Sequence, residues 1–250
     1  MIKISVKHNI ADTIRMLDER VRKQVPFATA RALTRTAKKA ERRVTNEMRQ
    51  VFDRPTPWTL KTIWTKPATK RDLQAMVYLK DTLPGGKARG SASDILGHHF
   101  TGGSRQRKAL EMWLTRAGLL GSNERVVPGS AARLDSYGNM SRGQVQQILS
   151  QLRAGGDPAS FKSSSARSRR NVRKAGRIFW ARRNTRDQHL ARGAWIDFGP
   201  GKGIKPLLLA VSNTTYHRLI DMPRLVEEVV HREFPAEFHA AFADAVRTAR

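Results

Sequence analysis

Not one of the 250 residues is a cysteine. That removes disulfides, thiolate nucleophiles and cysteine-held zinc together, and it suits a reducing compartment. No apolar run approaches the roughly 20 residues that a bilayer-spanning helix needs. The start, MIKISVKHNI, lacks the apolar centre of a secretory signal. The expectation is a soluble protein made in the cytoplasm, with no membrane partner. Acidic residues are scarce too: 21 Asp and Glu face 47 Lys and Arg, a formal net charge of +26. Such an excess repels itself in a free monomer, so it calls for a polyanion, nucleic acid first, or for acidic neighbours in an assembly.

Recognisable catalytic frames are missing as well. Gly199, Gly201 and Gly203 resemble a phosphate-cradling loop, but such a loop needs Lys followed by Ser or Thr ahead of a helix. Lys202 is followed by Gly203, Ile204 and a strand-like run, which reads as a hairpin turn. His98 and His99 lie near Asp94, yet adjacent histidines in an extended chain point to opposite faces, and His231 and His239 belong to another element. Asp187 and His189 have no nucleophile elbow to serve. No base-reading module is present either, neither zinc finger nor aromatic RNA-binding sheet nor helix-turn-helix. The expectation is a non-enzyme without metal or cofactor.

What is present is a long amphipathic helix over 25–52. Leu33, Ala37, Ala40, Val44, Met48 and Val51 fall on one stripe, and Arg31, Arg35, Lys38, Lys39, Arg42, Arg43 and Arg49 cover the rest. Its small residues, Ala28, Ala30 and Ala32 among them, allow another backbone to approach closely. Ahead of it, Ile2, Ile4 and Val6 alternate with polar residues as a short strand, and Asn9 caps a helix through Ile10, Ile14, Leu17 and Val21. Pro26 is expected to separate that helix from the long one or to kink the join between them, and Pro55 and Pro57 to end the long one.

Two extended runs, 63–69 and 73–80, suggest a hairpin turning at 70–72. Residues 82–104 read as Gly/Ser-rich loop, 105–117 as a helix stopped by Gly118, 127–139 as loop, and 142–153 as a helix burying Val145, Ile148, Leu149 and Leu152. A Ser/Arg run occupies 160–177. Extended pieces follow at 176–182, 193–198 and 205–212, with GPGKGIKP turning between the last two. A final helix opens at Met222-Pro223 and resumes after Pro235 with Phe238, Ala241, Phe242, Ala245 and Val246.

The pattern is α+β: a mixed or antiparallel sheet packed on a long N-terminal helix and a C-terminal helix, with a helical insertion in the middle. The expected parts are 1–81 as half of the core, 82–159 as the insertion, and 160–250 as a basic arm followed by strands and a helix that complete the core. Expected contacts to DNA or an acidic partner are Arg31, Arg35, Lys38, Lys39, Arg42 and Arg43 on the helix, and Arg167, Arg169, Arg170, Arg173, Lys174 and Arg177 in the Ser/Arg run. Trp180, Trp195 and Tyr216 read as core rather than base-stacking residues.

Five segments in order, VPFATARALTRTAKKAERRV, TPWTLKTIWTKPATKRDLQAMVYLKD, GGSRQRKALEMWLTRAGLL, VPGSAARLDSYGNMSRGQVQQILSQLRA and GKGIKPLLLAVSNTTYHRLIDM, resemble phage proteins of the minor tail protein Z or tail-completion type. The resemblance implies a small α+β core used as a ring-forming virion subunit at the neck or tail top, beside portal or tail proteins. The chain is longer than the minimal form through 82–153. A ring would repeat its positive charges around the channel through which double-stranded DNA is ejected. The alternative is a free, sequence-independent DNA-binding protein acting in packaging or host takeover.

Overall fold

The computed structural model describes residues 2–4, 19–80, 91–155, 176–182, 189–212 and 215–248. The fold is α+β, and the chain divides into two compact units, Met1–Arg105 with Tyr216–Arg250, and Gln106–Thr215. No helix among the described residues is long and apolar enough to cross a membrane.

The first unit is built on α1, Glu19–Val51, and Pro26 lies inside it rather than at a break. Pro235 likewise lies inside the last helix. A proline within a helix costs about 3 kcal/mol locally, and tertiary packing on both sides outweighs it here. The Asn9-capped helix expected before α1 lies outside the described residues. Along α1, Leu33, Ala37, Ala40, Val44 and Met48 are at most 2% exposed, as the stripe predicts. After Val51 the chain turns through Arg54, at φ 45°, into the short α2, Pro57–Leu60.

The stripe meets β2, Ile63–Lys66, and β3, Ala75–Leu79, whose inward residues are Ile63, Thr65, Ala75 and Val77. The two strands form the expected antiparallel hairpin, Ile63 opposite Leu79 and Lys66 opposite Met76, and β1, Ile2–Ile4, adds antiparallel to β3. Residues 92–101, read as loop, form α3, Ala92–Thr101. Its Ser91 side chain accepts from the Asp94 N–H while Asp94 accepts from the Ser91 N–H. Leu96 and Phe100 of α3 join the same core. So do Leu225, Val226 and Val229 of α6, Met222–Arg247, where Ala241 and Ala245 also pack on Ala28 and Ala32 of α1. Four alanines let those two helix backbones come close.

The second unit has its own sheet and core. Its strands are β4, Glu124–Pro128; β5, Arg177–Ala181; β6, Gly193–Asp197; and β7, Ile204–Ser212, in the order β4-β7-β6-β5, all antiparallel. The extended pieces and the 199–203 hairpin turn are therefore strands and turn as expected. Their pairing is not: β5–β7 join β4, inside a stretch read partly as loop, and not the N-terminal hairpin. The single sheet expected from both halves is split into separate sheets, and the part of the expected insertion from 106 onward shares a unit with the later strands, while α3 belongs to the first unit. The reason is local burial, since Ile178, Trp180, Ala194, Ile196, Leu207 and Leu208 close on Leu114 of α4, Ala109–Arg116, and on Ile148 and Leu149 of α5, Arg142–Gln151.

Both outer strands of this sheet are answered by helix side chains. The Val126 N–H on β4 donates to Glu111 Oε1 at 3.0 Å, and the other oxygen of that fully buried carboxyl accepts from the Lys108 N–H at 2.8 Å. On β5, the Ile178 N–H donates to Gln151 Oε1 at 2.7 Å while Gln151 Nε2 donates to the Gly176 carbonyl at 3.3 Å. A side-chain amide thus stands where another strand would sit.

Candidate nucleic-acid interface

The basic face of α1 meets α6 antiparallel. Arg31 pairs with Asp244 at 3.4 Å, Arg35 with Glu237 at 3.4 Å, and Lys39 with Glu233 at 2.6 Å and Glu237 at 2.8 Å. Hydrogen bonds to Glu233 and then Glu237 raise the Lys39 pKa, and the same contacts lower those of both carboxyls. Water reaches these pairs, so they set helix register more than they add stability. Acidic neighbours for this face were expected from another subunit, and α6 of the same chain supplies them. Arg43 is paired with Glu47 one turn along.

Lys38 and Arg42 remain exposed without an ion pair among the described residues. Arg177 opens β5 and is exposed, opposite Asp197 in register. Arg167, Arg169, Arg170, Arg173 and Lys174 lie outside the described residues.

Arg42 belongs to a feature that periodicity alone did not reveal. A cleft of about 390 Å3 in the first unit is lined by Arg42 and Arg49 of α1, by Lys61 after α2, and by Trp64 and Lys80 from β2 and the end of β3. Trp64 is 47% exposed, and the Lys80 ammonium sits 4.4 Å from its ring centre. Glu41 also lines the cleft, but its carboxylate accepts from the Thr65 hydroxyl. Lys61, Trp64 and Lys80 escaped the sequence reading. The signal for Trp64 was there: in Ile63-Trp64-Thr65-Lys66 the alternation places a tryptophan on the polar side of a strand.

The histidine pair differs from expectation. His98 and His99 sit on α3 with ring centres 3.9 Å apart, His99 against Phe52 at 4.9 Å and His98 against Tyr216 at 4.8 Å. Both Nδ1 atoms are buried without a hydrogen-bond partner among the described residues, where no group of three or more metal-ligating side chains occurs. Burial, with His99 and Arg105 adding to it, lowers the His98 pKa to about 4, and burial lowers His99 as well. The folded protein keeps the rings neutral while the unfolded chain takes up protons near pH 6.5. Stability is therefore full above about pH 6.5 and falls as pH drops towards 4. Thermal melts across that range should show His98→Leu losing about 2 kcal/mol less than wild type.

Trp180 is buried in the core of the second unit, as the core reading has it, whereas Trp195 is half-buried outside that core with its indole N–H donating to the Ala191 carbonyl at 2.8 Å, and Tyr216 is half-buried against His98. Comparison with family models, with curated proteins and with solved structures finds no match to this chain.

Proposed function

We propose that this protein is a non-catalytic structural subunit of a tailed-phage virion, forming a ring at the neck or top of the tail beside portal or tail proteins. Support comes from the five resembling segments. The single observation that carries it is the build of the first unit, in which an N-terminal strand, a long helix and a hairpin close on a C-terminal helix as one α+β core. Such a unit is compatible with the small α+β core of sheet and long helix that the resemblance implies. The excess charge left after the α1–α6 seam suits a channel through which DNA passes.

Light scattering of the purified protein and imaging of purified particles test this. The expected result is a closed ring, or a fixed copy number in each virion. A strict monomer absent from particles overturns it. The cleft of Arg42, Arg49, Lys61 and Lys80 favours one other reading, a free DNA-binding protein acting in packaging or host takeover. That reading predicts tight, salt-sensitive duplex binding by a protein that the particle lacks.

A further inference from the structure

We infer that the cleft between α1 and the β2–β3 hairpin binds the phosphate backbone of a nucleic acid strand. Arg42 and Arg49 are seven residues apart on α1, two turns or roughly 10 Å along the axis. A nucleic acid strand carries its phosphates at a short, regular repeat, so two arginines on one helix face can each meet a phosphate of the same strand. Arginine forks match phosphate oxygens bidentately. Arg49 is already oriented, its Nη1 donating to Asn46 Oδ1 at 3.1 Å. Lys61 and Lys80 supply charge from the facing wall.

The contrast with the rest of α1 is the informative part. Arg31, Arg35 and Lys39 turn to α6 and Arg43 to Glu47, whereas the four cations of the cleft have no ion pair among the described residues. The one acid in the cleft, Glu41, is held by Thr65. The exposed Trp64 face, now covered by the Lys80 ammonium, offers a stacking surface once that ammonium moves to a phosphate. A flexible acidic peptide does not hold its charges at a fixed spacing, and a chain of Glu or Asp alone brings no flat ring to Trp64. The inference rests on the channel reading only for the source of the nucleic acid.

The test uses the full chain with a mixed-sequence duplex of about 30 base pairs, a single strand of the same length, and polyglutamate, in about 100 mM salt. Lysine acylation read by mass spectrometry reports the cleft directly in the unaltered protein. Either nucleic acid should slow acylation of Lys61 and Lys80 at least about fivefold while Lys205, exposed on β7, reacts as before. Protection by both strands' forms, or by one alone, supports the site and assigns the form. Arg42→Glu with Arg49→Glu should weaken binding at least about tenfold and flatten the log–log salt dependence by about two. Unchanged acylation in the complex, equal protection by polyglutamate, or no binding at all overturns the site. Particle imaging is independent of each of these results, so the ring proposal stands or falls separately.

Discussion

Glu111→Ala is expected to destabilise the Gln106–Thr215 unit by about 3 kcal/mol, seen as a lower urea midpoint with early hydrogen exchange at Val126. The carboxyl is fully buried and joins two elements, accepting from the Lys108 N–H at the start of α4 and from the Val126 N–H on β4. Losing a cap costs about 1 kcal/mol, and leaving a buried N–H unanswered costs about 1–3 more. The shorter alanine side chain also leaves a void at a fully buried position. Glu111→Gln keeps one acceptor and should lose less than half as much. A Glu111→Ala protein with the wild-type midpoint would show that these bonds contribute nothing net.

Gly193→Ala should be at least as damaging, about 3 kcal/mol or more, because a Cβ at this position has no room. It would lie 2.0 Å from the Leu208 carbonyl oxygen, on the neighbouring strand, and the backbone there is at φ 154°. The clash is with backbone, so no side-chain rotation relieves it, and β6 must part from β7 at its first residue. Gly199→Ala makes the informative comparison. At φ 92° with nothing within 4 Å of the added atom, it should cost only the left-handed backbone penalty, about 1–2 kcal/mol. Calorimetry of the two variants side by side separates crowding from backbone strain.

Features decided by near neighbours in the chain were legible in the sequence. The α1 stripe follows helical spacing and is buried where that spacing puts it, and the 199–203 turn carries three glycines that all adopt positive φ. Features decided by distant partners were not. β4 buries only Val126 and begins with Glu124 and Arg125, so nothing in its own alternation announced a strand. α3 did carry a Ser91-to-Asp94 capping box, masked by the Gly/Ser composition around it. Pro26 and Pro235 obeyed the local rule in sequence and were overruled by packing.

The candidate site divided the same way. A basic face on α1 was plain, but its acidic answer, Glu233, Glu237 and Asp244 on one face of α6, lies about 200 positions away. Pairing them required the fold. Only then did Arg42 stand apart from Arg31, Arg35 and Lys39, and only the outward turn of Trp64 joined it to Lys61 and Lys80.

The same separation sets a timetable for synthesis. Gln106–Thr215 is one continuous stretch, able to close on its own core soon after it leaves the ribosome. The first unit has to wait, because α1 is completed only by α6, with Lys39 meeting a carboxylate 194 residues downstream. At about 5–20 residues per second, roughly 10–40 s pass between translation of Val51 and of Arg247. Throughout that interval Leu33, Val44 and Met48 have at most the β2–β3 hairpin and α3 to pack against and lack the part of their cover that α6 supplies. An order of folding in which the middle of the chain precedes its ends also delays the finished surface of the first unit until the last helix is made.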